Sequence, residues 1–259
     1  MSSAPLVFIT GASSGIGQAL AGHYAAQGWR LALVARRAPE IEAWLAANGL
    51  DAQRARAFGA DVRDIDSIAA AGQACIAAMG LPVVVIANAG ISVGVDIGLR
   101  ADIDQVRATF ETNVVGMAAT FQPFVDPMRA RRSGTLAGIA SVAAIRGLPG
   151  HGAYCASKSA AVALCESLRG ELRGSGVNVV TLLPGYIATP LTARNRYPMP
   201  FLMTPQDFAR QAGAAIAAGT SYKVIPWQMG IVAKLLRLLP NAWFDRAFAG
   251  RPRKRRAGE

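Results

Sequence analysis

Tyr154 and Lys158 stand four residues apart, and Ser141 precedes the tyrosine by thirteen residues. The chain after Gly152 is rich in Ala and Ser and free of Pro for many residues. That predicts a helix with Tyr154 and Lys158 on one face, a turn apart. A phenol with a pKa of about 10 exchanges protons poorly at neutral pH, and a fixed ammonium nearby favours the phenolate and lowers that value. The pair is therefore equipped for general acid–base work. The same spacing also occurs on solvated helix faces, so the surrounding elements must decide between the two.

Residues 6–10 are a short apolar run that leads into T-G-A-S-S-G-I-G and then a helix-like stretch. Strand, glycine-rich turn and helix together give the glycines a meaning. Gly11, Gly15 and Gly17 let the backbone turn tightly and approach a ligand with no Cβ in the way. The helix aims its first amides and the positive end of its dipole at that spot, which suits a pyrophosphate. The spacing is G-x-x-x-G-x-G, and an ordinary tight turn is the bland alternative. Residues 31–35 read as the second strand, and nineteen residues after Gly17 stands Arg36, followed by Arg37. An acid at this place usually grips a ribose hydroxyl. A guanidinium fork instead suits a phosphate, so the pair favours NADP(H) over NAD(H). A solvated loop pair is the alternative.

The remaining elements must carry these groups to one place. Residues 40–47 read as a helix and 57–60 as a third strand, ended by Asp61 and Val62. Asp64 is placed to cap a helix over 65–79. The most hydrophobic run, 83–87, should be a central strand delivering Asn88, Ala89 and Gly90 at its carboxyl end, where small residues admit a cofactor. A helix is expected over 104–124, with Asn113 a polar amide on an apolar face. The strand 135–140 delivers Ser141. A strand from Val177 opens into Pro184, Gly185 and a loop through Thr189. Thr204 reads as the N-cap of a helix, and 222–226 as a last strand. Repeated β-α order predicts an α/β chain with a doubly wound parallel sheet covered on both faces. We expect one domain over 1–227 and an extension over 228–259.

Composition narrows the function. The chain has 259 residues, 52% apolar and 17% charged, which fits a globular α/β domain. Three scattered cysteines argue against a disulfide framework and fit a cytoplasmic protein. Two histidines and no Cys/His cluster leave no metal site to expect. We expect His23 on a helix surface, His151 in a loop or pocket lining, and Cys155 in packing. No run is long and apolar enough to cross a membrane or to form the core of a leader peptide. Nucleic-acid binding would rest on the net charge of +11 alone, and is not expected.

Taken together, these motifs resemble the short-chain dehydrogenase/reductase family from Leu6 to about Pro226. The resemblance rests on Gly11-Ala12-Ser13-Ser14-Gly15-Ile16-Gly17, Asp61, Asn88-Ala89-Gly90, Asn113, Ser141, Tyr154 with Lys158, and Pro184-Gly185 through Thr189. It implies a Rossmann-like sheet holding a nicotinamide cofactor. By resemblance, Tyr154 exchanges a proton with the substrate oxygen, Ser141 holds that oxygen, and Lys158 contacts the nicotinamide ribose and keeps the tyrosine pKa low. Asn113 orders a water, and Ile187 and Thr189 hold the carboxamide. The implied reaction is hydride transfer between nicotinamide and a carbonyl or alcohol. A dinucleotide-binding sensor or scaffold without turnover is the alternative. Ala87 stands where the family often has a second Asn.

The substrate side is expected from Val142, Ile145 and Leu148 after Ser141, and from Tyr186, Met199 and Phe201 around the segment after Thr189. These side chains favour an apolar substrate. Beyond the resemblance, Ile231, Val232, Leu235, Leu236 and Leu239 make a helical stripe, followed by Trp243, Phe244 and Phe248. It could pack on its own domain or on a second subunit of a dimer or tetramer; a peripheral membrane contact is the sharper reading. Five basic residues close the chain, Arg251, Arg253, Lys254, Arg255 and Arg256, and read most simply as a solvated, disordered tail.

Overall fold

A computed structural model describes residues 4–193, 195, 197–250, 252–256 and 258. Arg251 lies outside these residues. Seven strands form one wholly parallel sheet in the order β3-β2-β1-β4-β5-β6-β7. They are β1 (Leu6–Thr10), β2 (Arg30–Ala35), β3 (Ala55–Gly59), β4 (Val84–Ala87), β5 (Gly134–Ile139), β6 (Val177–Pro184) and β7 (Tyr222–Ile225). β1, β4 and most of β5 and β6 are buried throughout, as continuous apolar runs covered on both faces require. β3 is displaced toward the N-terminus from its expected place. It starts at Ala55 because Arg54 O accepts from Leu31 N, which brings pairing with β2 forward.

Helices α1 (Gly15–Ala26), α2 (Ala38–Ala47) and α7 (Pro205–Ala217) cover one face. The other carries α3 (Ile65–Met79), α4 (Arg100–Phe110), α5 (Gly116–Arg131) and α6 (Gly152–Glu171). Each face has its own core, with Leu20, Leu33 and Phe208 on one side and Phe8, Phe121 and Phe124 on the other. Two N-caps are as expected. Asp64 Oδ1 accepts from Ser67 N at 3.0 Å, and Thr204 Oγ1 accepts from Asp207 N at 3.1 Å. His23 is not a plain surface residue, because it lies between α1 and α7 where a Cβ on Gly213 would strike its ring.

The helix expected over 104–124 is longer and interrupted. It begins at Arg100, passes through a π turn over Glu111–Val115, and continues to Arg131 with Pro123 and Pro127 inside. Pro123 is accommodated because it packs on Gly72, which has no Cβ to block it. The π turn carries Asn113, an irregularity common at functional sites.

Two short helices follow β7: α8 (Trp227–Leu238) and α9 (Asn241–Phe248). Met229, Gly230 and Ala233 bury one face of α8 against its own domain. Arg146 secures it from the loop after Ser141, donating to the carbonyls of Leu236 and Leu239 and to Asn241 Oδ1, with its guanidinium 3.8 Å over the Phe244 ring. These carbonyls are the unpaired acceptors of a helix C-terminus. The opposite face of α8 leaves Trp227, Ile231, Leu235 and Leu238 exposed. Among the described residues, no helix is long and apolar enough to cross a membrane.

Candidate active site

Parallel strands end on the same edge of the sheet, so β1, β2, β4, β5 and β6 deliver their following loops to one crevice. A cavity of about 440 Å³ runs along it. At one end lie Gly11, Ser13, Ser14, Gly15 and Ile16 with Arg36, Asp61 and Val62. Asn88, Ala89 and Gly90 form the middle, with Thr189 facing Gly15, and Tyr154, Lys158 and Pro184 form the far end. The sequence had not singled out Arg63, Ile91, Thr112, Ile139 or Pro190, which also line it. They follow strand ends or helix turns whose spacing carries no signature of its own.

The glycine turn is built by close approach. Gly11 and Gly15 have φ of 67° and 57°, the left-handed region that glycine adopts without strain. A Cβ on Gly11 would lie 2.8 Å from Ala89 Cα, and one on Gly17 would strike the Gly11 carbonyl. Gly17 thus does not line the cavity; it lets α1 pack down onto the turn. Asn88 Nδ2 locks the turn to β4 by donating to Thr10 O at 2.9 Å and Gly11 O at 3.2 Å. The N-cap of α1, Ser14, makes no side-chain capping hydrogen bond. Amide donors at that end are available to an anion. Arg37 reaches Ser13 Oγ at 3.3 Å and pairs with Glu40 at 3.1 Å. Arg36 is exposed on the cavity wall, while Arg63 grips Asp61 at 2.7 Å. The Arg63 side-chain bond holds the Asp61 carboxyl below its usual range, with Arg36 contributing. Gly-lined turn, open amides and arginine rim fit the phosphates and adenosine of a dinucleotide.

The other end is made of side chains. Ser141 follows the end of β5 by two residues, and its Oγ accepts from Ala143 N at 3.1 Å across a short 3₁₀ turn (Val142–Ala144). α6 presents Tyr154 and Lys158 toward the cavity. Lys158 is 4% exposed, and its Nζ donates to Ile139 O at 2.8 Å and lies 5.9 Å from the Tyr154 ring centroid. Burial pulls Lys158 down to about 8. Burial also raises the Tyr154 phenol above its usual value, with the Ser141 hydrogen bond working the other way. The expectation that Lys158 keeps this phenol low is therefore not met: desolvation disfavours both charged forms, and the ammonium is turned to a backbone carbonyl.

Asn113 sits behind the cavity and is 1% exposed. Its Oδ1 accepts from Ile91 N at 2.8 Å, and its Nδ2 donates to Ile91 O and Ser157 Oγ, both at 3.0 Å. A Cβ on Gly90 would lie 3.2 Å from Asn113 Oδ1 and 3.4 Å from Lys158 Nζ. The amide thus fixes the Gly90–Ile91 backbone beside the lysine. Gly185 lies under Met229, and Ile187 is buried and pairs with Met203, so neither lines the cavity. Thr189 faces Gly15 across the crevice at 3.3 Å from its Cβ position and is tied to Thr192.

None of Val142, Ile145, Leu148, Tyr186, Met199 or Phe201 lines this cavity. Phe201 is 48% exposed. Tyr197 is the residue that joins this side of the site. Its hydroxyl lies 3.1 Å from His151 Nε2, and its ring is 6.2 Å from that of Tyr186. His151 Nδ1 faces Pro149 O at 3.2 Å. A carbonyl only accepts, so Nδ1 carries the proton and Nε2 accepts from Tyr197. Burial lowers the His151 pKa and raises the Cys155 thiol. Among the described residues, no cluster of three or more His, Cys, Asp or Glu could hold a metal.

The family model for short chain dehydrogenase matches residues 5–199. An uncharacterized oxidoreductase of Myxococcus xanthus is 38% identical over 239 residues, covering 92% of this chain and 94% of its own. The structure is similar to a short chain dehydrogenase/reductase from Burkholderia phymatum in complex with NAD, with a TM-score of 0.80, 25% identity, and coverage of 90% of this chain and 92% of that one. It is also similar in fold to an alcohol dehydrogenase from Thermococcus sibiricus complexed with 5-hydroxy-NADP, with a TM-score of 0.75, 24% identity, and coverage of 86% and 96%. A glycine turn, an N-A-G strand end and a Ser–Tyr–Lys group on one crevice, matched over most of the chain, place this protein in the short-chain dehydrogenase/reductase family of oxidoreductases.

Proposed function

We propose that the protein is an NADP(H)-dependent oxidoreductase that transfers a hydride between nicotinamide and the carbonyl or alcohol carbon of an apolar substrate. One observation carries this reading: Tyr154 and Lys158 line one end of a continuous cavity whose other end carries Arg36 and the uncapped start of α1. When bound, the nicotinamide supplies or accepts the hydride. This chain's residues do the rest. Gly11, Gly15 and the α1 amides hold the pyrophosphate, and Arg36 takes the 2′-phosphate. Asp61 and Val62 border the adenine, and Thr189 flanks the nicotinamide end, with Ile187 buried behind it. Ser141 holds the substrate oxygen. Tyr154 moves a proton at that oxygen, and its donor stabilises the charge that develops there. A phenol that keeps its proton through burial can give it to the oxygen of a carbonyl as that carbonyl is reduced. Lys158 replaces the proton through the region Asn113 orders.

Arg36 supports NADP(H), since no acid stands at the end of β2 to hold a free ribose hydroxyl. We assign the substrate contacts to Val142, Ile145, Leu148, Tyr186, Met199 and Phe201, which lie outside the wall of the cavity itself. For larger partners, the exposed stripe Trp227, Ile231, Leu235 and Leu238, with Lys234 and Arg237 on the same helix, supports a peripheral contact with an anionic lipid surface. Self-association as a dimer or tetramer is the competing use of that stripe. Co-sedimentation with anionic vesicles and gel filtration at rising concentration separate them. We place the protein in the cytoplasm, where NADPH is available.

The test is a panel of carbonyl compounds scored for NADPH oxidation, with NADH in parallel and cofactor binding measured separately. The reading expects turnover of apolar carbonyls with NADPH preferred. Tight NADPH binding with no turnover across the panel would instead mark a sensor or scaffold.

A further inference from the structure

The basic tail is not the solvated extension its composition suggests. Described residues 252–256 cross three loops that border the crevice. Gly94 N donates to Arg255 O at 2.9 Å, and Gly94 pairs with Arg256 as an isolated parallel bridge. The Arg253 side chain lies over Gly150, where a Cβ would come within 2.9 Å of it. Lys254 Nζ donates to Leu191 O and to Asn195 Oδ1, both at 3.0 Å. Arg256 pairs at 3.6 Å with Asp102, a buried carboxylate that also accepts from Asp96 N at 2.7 Å.

Each loop is attached to a part of the site. Gly94 follows Gly90 and Ile91, which line the cavity. Gly150 precedes His151, whose pKa is lowered in part by the Lys254 ammonium. Leu191 follows Thr189 on the cavity wall. Val95 N donates to Gly150 O at 3.2 Å, so the first two loops are also joined directly. The segment after Thr189 is joined to the second loop through the Tyr197 hydroxyl on His151 Nε2 at 3.1 Å, and Lys254 ties it to the tail as well. Asn195, held by Lys254, in turn donates to Met199 Sδ at 3.5 Å.

We infer that residues 252–256 form the outer wall of the substrate end of the crevice, and that Lys254 is a positioning residue that holds the segment after Thr189 closed over the substrate. The inference rests on the oxidoreductase reading for where the substrate sits. Lys254 has both bonds committed to protein acceptors, so it acts through the lid and not on the substrate. A site held this way binds substrate more weakly when the tether is cut, while the cofactor end, which shares none of these bonds, is unchanged.

Three full-length variants test this: Lys254→Met, which removes the tether; Lys254→Arg, which can restore it; and Gly94→Val, whose added side chain collides with the Lys254 carbonyl and dislodges the tail. Hydrogen–deuterium exchange over 189–203 is measured on each, with NADPH affinity by fluorescence and KM and kcat on the carbonyl the wild type reduces best. Lys254→Met and Gly94→Val should speed exchange in this segment about tenfold and raise KM about tenfold, with kcat and NADPH affinity within about twofold. Lys254→Arg should recover most of both. Unchanged exchange in Lys254→Met, or a fall in kcat with KM unchanged, overturns the inference. If the wild type reduces no carbonyl in the panel, the exchange result still decides whether Lys254 holds the lid, and the missing turnover counts against the proposed reaction alone.

Discussion

The two ends of the crevice are built from opposite materials. At the phosphate end the ligand space exists because side chains are absent: Gly11 and Gly17 bring backbone to backbone, Gly15 leaves room beside Thr189, and α1 begins with no side-chain cap. At the proton-transfer end the space is defined by side chains held in low-dielectric surroundings, Lys158 at 4% exposure and Ser141 at 6%. The first end recognises by shape and amide direction, so it depends on what is missing. The second does chemistry, so it depends on which protonation states burial permits. Substitutions at the two ends should therefore fail in different ways, and four of them probe the difference.

The largest effect belongs to Tyr154→Phe. It removes the proton carrier and leaves the ring, so kcat should fall about 10³-fold, with NADPH affinity within about twofold. Equal losses in both would mean the two ends are not separable. Next is Lys158→Met, read as stability against pH. Lys158 titrates near 8 in the folded chain and near 10.5 when unfolded. Between these values the unfolded chain holds more protons, so wild-type stability rises with pH there. The wild type should gain about 3 kcal/mol relative to Lys158→Met on going from below pH 8 to above 10.5, measured by urea melts. A flat difference would show that the lysine is not desolvated.

Gly15→Val should act only at the other end. It forces a β-branched residue to a φ of 57° with its Cβ 3.3 Å from Thr189. Strain of about 1–3 kcal/mol should weaken NADPH binding roughly tenfold to a hundredfold, with kcat at saturating cofactor little changed. The smallest change is expected from Arg36→Ala: kcat/KM for NADPH should drop about tenfold through loss of a charge-assisted bond, while NADH values stay put. An equal fall for both cofactors would move the 2′-phosphate contact to Arg37 or Arg63.

The same contrast governs how much the sequence reveals. The phosphate end is legible because glycine at a strand–helix junction has few other uses, and Gly11, Gly15, Asn88 and Gly90 come together as their order implies. Strands such as β1 and β4 are legible because a strand buried on both faces is a continuous apolar run. Tyr154, Ser141 and Lys158 also meet as expected, but the sign of the phenol's shift does not follow from their spacing. That sign depends on desolvation, and on Lys158 turning to the Ile139 carbonyl. The π turn around Asn113 has no residue signature, so a plain helix is the natural expectation. The tail was hardest to read. Lys254, Arg255 and Arg256 look solvated because their partners are a glycine amide, two carbonyl-type oxygens and one buried acid, 59 to 162 positions away in Asn195, Leu191, Gly94 and Asp102. Backbone acceptors leave no pattern to match a lysine against.

The central claim is that hydride moves between nicotinamide and a substrate carbon beside Tyr154. The most direct measurement follows the atom itself: NADPH deuterated at C4 of the nicotinamide is supplied with the best carbonyl from the panel, and the alcohol is examined by mass spectrometry and NMR. The account predicts one deuterium on the carbinol carbon, delivered from a single face, with transfer reduced about 10³-fold in Tyr154→Phe. Alcohol formed without deuterium at that carbon, or with transfer unaffected by Tyr154→Phe, would contradict it.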